Sequence, residues 1–348
     1  MHKAFTPLPD DDPTAATRKK DHIELALKSQ VEAAMLDGRF SYEPLLAAHP
    51  DTSNRPTTNW VGKTLRLPLW VSSMTGGTEK AYRINHNLAQ ACRDFGMGMG
   101  LGSCRPLLYG DERLKDFDIR PILGDDQILF ANLGIAQLET LLAQNEIWRV
   151  SALVDKLRAD GLIIHVNPLQ EWLQPEGDRF LHPPIDTIQR VMEALPDLPI
   201  IVKEVGQGMG RKSLEALLQL PLAAIDFAAA GGTNFARLEL LRAAPARQAV
   251  YGPLSVIGHT AIEMTQMVNE LITTLGDRRQ CGFVIISGGI ANFLDGFYLM
   301  KKLNISSIYG QASAFLQHAQ GEYEALHAYV EMQARGLDVA NAFLRINQ

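Results

Sequence analysis

Cysteine is scarce. Cys92, Cys104 and Cys281 are the three thiols of a 348-residue chain. They are odd in number and far apart, with no C-x-x-C or Cys/His ligand spacing, which excludes a disulfide framework and a structural zinc site. Cys104 has polar neighbours that could activate a thiol, yet a free cysteine is ordinarily inert, and that is the expectation here. Apolar runs of the ~18 residues that span a membrane are missing too. The opening MHKAFTPLPDDDPTAAT has no apolar core of the secretory kind. Nor is there a basic excess: 33 Lys and Arg against 39 Asp and Glu leave a net charge of −6 and a pI near 5.9. Such a chain is not built to coat nucleic acid, although a local basic patch could serve an anionic ligand. These absences point to a cytoplasmic protein with a small-molecule partner and no nucleic-acid or membrane partner.

What is present suits a substantial core: 46% of residues are apolar and 21% charged. The length fits one large domain or two small ones, and α/β barrels often fill this range alone. Residues 1–17, with Pro7, Pro9, Pro13 and the triplet Asp10 to Asp12, read as a mobile lead-in. Residues 18–348 read as a single domain. A helix is expected to begin just after Arg18-Lys19-Lys20, with Asp21 and Glu24 at capping-box spacing and Asp37-Gly38 as its stop. Ile23, Leu27, Val31, Ala34 and Met35 would share one face. Three cations at a helix start oppose the macrodipole, so either an anion sits among them or they form a solvated basic cluster.

From residue 65 onward, short apolar runs recur: 67–73, 97–101, 127–133, 161–166, 198–203, 222–228, 282–287 and 305–310. Helix-favouring stretches such as EKAYRINHNLAQACRDF and IDTIQRVMEAL separate most of them. Buried strands alternating with helices indicate parallel βαβ units, and eight of them suggest a closed (β/α)8 TIM barrel. The interval 234–281 is long for one connection, so an insertion after strand 6 holds an extra helix or two, broken at Tyr251-Gly-Pro. Polar clusters end the runs: SSMTGG, GSCR, NLG, HVNPLQE, KEVG, GGT, SGGI and GQAS. In a barrel these converge on the C-terminal rim, where barrel enzymes keep their sites.

Three clusters carry chemistry. Gly288-Gly289 and Gly310-Gln311-Ala312 follow runs seven and eight, the usual phosphate cradle of this barrel. His165, Asn167, Gln170 and Glu171 fall within seven residues, more hydrogen-bonding groups than a strand end needs without a ligand. Glu171 suits a hard cation such as Mg2+, and His165 could serve as an acid or base near neutral pH. Lys203 ends a buried run and reads either as a Schiff-base nucleophile or as a cation facing an anionic cofactor. Thr233, after two glycines, could add a hydrogen bond.

Taken together, RKKDH, SSMTGG, GSCR, NLG, HVNPLQE, KEVGQG, DFAAAGGTNFARLE and SGGI resemble type 2 isopentenyl diphosphate isomerase, an FMN-dependent (β/α)8 barrel, from Arg18 to about Ser313 in the family's order. HVNPLQE and AGGTNFAR are the most specific pieces. The resemblance implies that Arg18 and Lys19 bind the substrate diphosphate. It implies that Ser73, Met74, Thr75, Asn132, Lys203 and Thr233 hold the flavin, with Gly288, Gly289, Ile290, Ala312 and Ser313 at its phosphate. Ser103 and Arg105 match contacts at flavin and substrate. His165, Asn167 and Gln170 match catalytic positions around the isoprenoid diphosphate, and Glu171 matches the Mg2+ ligand. The implied reaction converts isopentenyl to dimethylallyl diphosphate by protonation at one carbon and proton removal at another. Reduced FMN is required, with NADPH as reductant, and the flavin itself shuttles the proton. Homo-oligomers, tetramers or octamers, are the implied assembly.

Three departures stand out. Phe235 replaces a common Trp. Ile290-Ala291-Asn292-Phe293 follows Gly289 where a polar pair is usual, which shifts phosphate binding onto backbone N–H groups. The family's Trp-Gly-Ile-Pro-Thr stretch has only a faint counterpart in Tyr251-Gly-Pro or Gly258-His259-Thr260. The rival readings are another FMN barrel, of the 2-hydroxy-acid oxidase or IMP dehydrogenase type, and a non-catalytic flavin- or phosphate-binding barrel.

Overall fold

The computed structural model describes residues 15–52, 55–73 and 79–347. The chain divides into two compact units, residues 1–41 with 347–348, and residues 42–346. In the larger unit, eight parallel strands among the described residues close into a barrel. They are β1 (Leu69–Val71), β2 (Gly98–Gly100), β3 (Leu129–Gly134), β4 (Gly161–His165), β5 (Ile200–Lys203), β6 (Ala224–Asp226), β7 (Phe283–Ser287) and β8 (Ser306–Gln311). They pair in chain order, and β8 returns to β1 with Gly310 beside Trp70. Each strand coincides with one of the eight apolar runs, β3 and β8 each extending one residue past its run. Strands covered on both faces read as continuous apolar stretches, which is why LIIH, IIVK and FVIIS stand out in the sequence.

After β6 come the short helices Phe235–Arg242 and Pro245–Tyr251, the 3-10 turn Gly252–Val256 and then the helix Ala261–Leu275. Gln207 Nε2 ties this insertion to the barrel, donating to Leu254 O (3.0 Å) and Ile257 O (2.6 Å). The insertion expected after strand 6 is present, with its break at Tyr251-Gly252.

The barrel interior is filled rather than hollow. A hairpin missed in the sequence, Thr58–Trp60 paired with Lys63–Leu65, precedes β1. It inserts Trp60 among Trp70, Phe130, Phe283 and Ile163. The Trp60 ring stacks on Phe283 (centroids 4.6 Å apart) and Phe130 (5.7 Å), and its Nε1 donates to Ala223 O at 2.9 Å. Val61 and Gly62 turn the hairpin at φ +49° and +71°. A β-branched residue at positive φ is strained, and Val61 is held there by packing against the same aromatic cluster. Gly98 serves the cluster by omission, since a Cβ there would fall 2.6 Å from the Trp70 ring. Beside the hairpin, the Asp160 carboxylate binds Lys63 Nζ (2.6 Å), Arg120 Nη2 (3.1 Å) and Leu129 N–H (2.8 Å).

The smaller unit departs from expectation. Its helix is Ala15–Leu25, so Arg18, Lys19 and Lys20 lie inside the helix instead of ahead of it, and Asp21 is interior rather than a cap. Ala15 and Ala16 are strong helix formers and carry the start backward. The i,i+4 pair Lys20–Glu24 (3.7 Å) supports the interior position. The helix ends well before Asp37: the chain turns at Ala26 to Ser29 and resumes as a 3-10 turn at Ala33–Met35. Of Ile23, Leu27, Val31, Ala34 and Met35, expected to share one helical face, only Ile23 lies within the helix, and all five are exposed.

Replacing Trp60 by Ala empties the aromatic cluster and is expected to cost about 3–5 kcal/mol, as aromatic truncations in packed cores do. Urea unfolding measures it; a loss below about 1 kcal/mol would mean that the interior collapses onto the gap.

Candidate active site

Strand register builds the rim. Gly134 lies beside His165, His165 beside Lys203, and Lys203 beside Asp226. Four neighbouring strands thus end on a glycine, an imidazole, an ammonium and a carboxylate.

On one side of the rim opens a cleft of about 200 Å3. Ser73 from the end of β1, Lys203 from β5 and Thr233 from the loop after β6 line it. Gly288, Gly289 and Ile290 come from the loop after β7, and Ala312 and Ser313 from the loop after β8. The cleft therefore collects most of the residues expected at the flavin. Met74 and Thr75 lie outside the described residues. Ser103 is exposed on the loop after β2. Asn132 stands with His165 instead of lining the cleft.

The cleft's chemistry fits a polar, anionic cofactor of the FMN kind. Gly288 and Gly289 have φ of +86° and +71°. A Cβ on Gly288 would meet Ala229 N at 2.2 Å, and one on Gly232 would meet Gly289 N at 3.1 Å. Two bare backbone segments thus approach each other at the cleft edge, where side chains cannot intervene. The loop is braced from behind: Tyr329 Oη donates to Gln311 Oε1 (2.7 Å), and Gln311 Nε2 donates to Ile290 O (3.2 Å). The hydroxyls of Ser72 and Ser73 are buried without a partner among the described residues. Buried groups of this kind are ordinarily satisfied, and a ligand in the cleft would do so.

Lys203 is buried, with Nζ donating to Glu204 O at 3.0 Å. Burial pulls its pKa down, while the Asp226 and Glu204 carboxylates oppose that shift. Asp226 is fully buried: Oδ1 accepts from Ser287 Oγ, and Oδ2 has no hydrogen-bond donor among the described residues. Burial raises its pKa, and Lys203 counters. Two carboxylates beside one ammonium favour the charged-lysine role over the Schiff-base nucleophile. Asp226 went unnoticed in the sequence, although a carboxylate inside the run LAAIDFA was its signal.

The second group gathers around the end of β4. His165 Nδ1 lies 2.8 Å from Asn132 Oδ1. Asn132 Nδ2 donates to Leu101 O at 2.9 Å, so its oxygen must face the imidazole. The proton is therefore assigned to Nδ1, and Nε2 keeps its lone pair. Burial, reinforced by the Lys203 charge, lowers the His165 pKa from the ordinary 6.5 to about 3. Without a ligand, His165 is therefore a neutral acceptor.

Asn167 Nδ2 donates to Gln170 Oε1 (3.0 Å) and to Glu171 Oε1 (2.9 Å). Those two acceptors fix the amide's orientation and leave Asn167 Oδ1 buried without a partner among the described residues. Glu171 Oε2 accepts from the Asp178 N–H at 2.7 Å. Among the described residues no three His, Cys, Asp or Glu side chains could jointly hold a metal. A single carboxylate next to an orphaned amide oxygen still fits Mg2+, which takes one or two carboxylates and completes its shell with ligand oxygens and water. Arg105, expected at the substrate, pairs with Asp178 at 2.9 Å. Arg18 and Lys19 are exposed on the helix of the smaller unit.

The cysteines are buried, and desolvation raises all three thiols, Cys104 to about 12. A nucleophilic cysteine of the IMP dehydrogenase kind is not present among them.

The closed barrel, its glycine-edged cleft and the acid–amide cluster define an α/β-barrel enzyme. Solved structures share that fold. A mandelate oxidase variant with a monooxide FMN adduct superposes with TM-score 0.53 at 14% identity, covering 89% of this chain and 88% of that one. A flavocytochrome b2 variant with sulfite bound gives 0.56 at 13% identity, covering 87% and 72%. Among curated proteins, the isopentenyl-diphosphate delta-isomerase of Rickettsia peacockii (strain Rustic) is 35% identical over 321 residues, 90% of this chain and 89% of its own. That of Rickettsia akari (strain Hartford) is 34% identical over 316 residues, 90% and 88%. No family model matches. The chain belongs to the isopentenyl-diphosphate delta-isomerase family, and its barrel agrees with the type 2 branch that its motifs resemble.

Between about pH 6.5 and 3 an unfolded chain would bind a proton at His165 that the folded chain refuses. This contribution to stability is present above the ordinary value and lost as pH falls through that window. Imidazole NMR of the ligand-free protein should therefore show His165 neutral at pH 5, with Nδ1 protonated. A midpoint near 6.5 would overturn the assignment.

Proposed function

We propose that this protein converts isopentenyl diphosphate to dimethylallyl diphosphate, using FMN, reduced by NADPH, and Mg2+. One observation supports it above the rest: the cleft that fits a flavin and the Asn167–Gln170–Glu171 cluster that fits a metal-bound diphosphate share one barrel rim. The isomerase relatives supply the substrate class. Bound reduced FMN would supply an electron-rich surface for proton transfer to and from carbon.

The chain's own residues do the remainder. Lys203, with Asp226 and Glu204 as counter-charges, supplies positive charge at the cleft floor for an electron-rich ring. Glycine loops after β7 and β8 hold the cofactor's phosphate through backbone N–H groups. Glu171, its oxygens oriented by Asn167 and the Asp178 N–H, anchors Mg2+. Arg105 and Gln170 orient the diphosphate, which positions the reacting carbons through remote binding energy. His165 keeps the Asn132 side of the rim ordered and offers Nε2 to the substrate. Arg18 and Lys19 take the role that the resemblance implies, binding the diphosphate. A cytoplasmic homo-oligomer is the proposed setting. No described helix is long and apolar enough to cross a membrane.

The test is an anaerobic assay with FMN, NADPH, Mg2+ and isopentenyl diphosphate, with product followed by NMR. Product that depends on flavin reduction is expected; none, with reduced FMN bound, would overturn the reading. Glu171→Gln should lower kcat at least about a hundredfold, the scale on which charge-stabilising groups act, while the flavin spectrum stays unchanged. Full activity in that variant would remove Glu171 from the metal site.

A further inference from the structure

The loop after Glu171 carries a carboxylate that the reading above leaves unused. Asp178 Oδ2 accepts from Arg105 Nη1 at 2.9 Å and from Gln137 Nε2 at 2.9 Å. Gln137 is fixed in turn, since its Oε1 accepts from Gly134 N–H at 3.0 Å. The Asp178 backbone N–H completes the network at Glu171 Oε2. One carboxylate oxygen thus gathers a cation from the loop after β2 and an amide from the helix after β3, and its backbone tethers the proposed metal anchor.

The ion pair is built to be exchanged. The Arg105 side chain is 58% exposed and that of Asp178 37%, and pairs this open to water are individually weak. An anion with more charge than a carboxylate can take Arg105 from Asp178. The cost falls on what is left behind. Asp178 and Glu171, joined by a single hydrogen bond, would then be two carboxylates facing a polyanion. A divalent cation arriving with that polyanion removes the repulsion; a bare diphosphate does not.

We propose that Asp178 is the internal counter-anion of the substrate site, holding Arg105 until a ligand displaces it and so making the site select diphosphate as its divalent-cation complex. This rests on the substrate reading given above. Asp178 acts through Arg105 and is a positioning residue for it.

The experiment titrates inorganic diphosphate into FMN-loaded protein by calorimetry, with and without Mg2+. It compares the unaltered chain with Asp178→Asn, Arg105→Gln and the double variant. Removing the competitor should tighten binding of bare diphosphate about fivefold, the upper scale of an exposed ion pair. The ratio of dissociation constants without and with Mg2+ should fall by a similar factor. In the Arg105→Gln background the gain should shrink, because no pair remains to compete. A loop merely loosened by the substitution would bind diphosphate more weakly, so the sign separates a structural role from the proposed one. Weaker or unchanged binding in Asp178→Asn, or an undiminished gain without Arg105, would overturn the proposal. An unaltered protein that binds no diphosphate in either condition would instead overturn the substrate reading on which it rests.

Discussion

The stacking of Trp60 between Phe283 and Phe130 is the contact on which the remaining architecture depends. Eight strands, three of them only three residues long among those described, enclose a space that must be filled or the barrel collapses. Small residues on β2, with Gly98 and Gly100, make room for the Trp70 ring and the Ile163 side chain, and the hairpin drives a second indole in beside them. The strand ends opposite this plug carry Lys203, Asp226 and the glycine loops. Precise register at the plug is therefore precise register at the rim, because a parallel barrel cannot slip one strand without moving every neighbour.

The rim spends part of the stability that the interior provides. An ammonium and a carboxylate, both buried and neighbours in register, cost several kcal/mol each to desolvate, and their mutual attraction recovers only part of it. The oxygens of Ser72, Ser73, Asn167 and Asp226 that have no partner among the described residues add to that cost. No feature of the fold requires them. Such atoms also occur elsewhere, on Trp70, Asp116 and Thr265, but at the rim they face a cleft where a ligand would supply partners.

Legibility in the sequence followed the range of the interactions. The eight strands were readable because burial on both faces writes itself as a continuous apolar run, and the rim was readable because polar groups at the ends of such runs need a reason. The N-terminal helix was misplaced because Asp21 and Glu24 matched a cap by spacing alone, while Ala15, Ala16 and the Lys20–Glu24 pair carried the helix start earlier. The Trp60 hairpin was too short to register as strands. Asp178 and Gln137 had no local signature: Arg105 and Asp178 meet across 73 residues of chain, and Gln137 and Asp178 across 41. The neutral state of His165 was equally hidden, since it depends on burial and on Lys203 in the adjacent strand.

Fold likeness by itself leaves the chemistry open, since mandelate oxidase and flavocytochrome b2 share the barrel at 13–14% identity. Charge accounting narrows it further. Two cations at this rim already have internal counter-charges: Arg105 has Asp178, and Lys203 has Asp226 and Glu204. Among the described residues the Glu171 carboxylate is met by an amide and a backbone N–H, and His165 is neutral. A single carboxylate substrate would have to displace Asp178 for no net gain in charge. A ligand that brings several negative charges together with a cation can exchange with these internal pairs on favourable terms. A metal-bound diphosphate would have that composition, which is compatible with the family to which the sequence belongs.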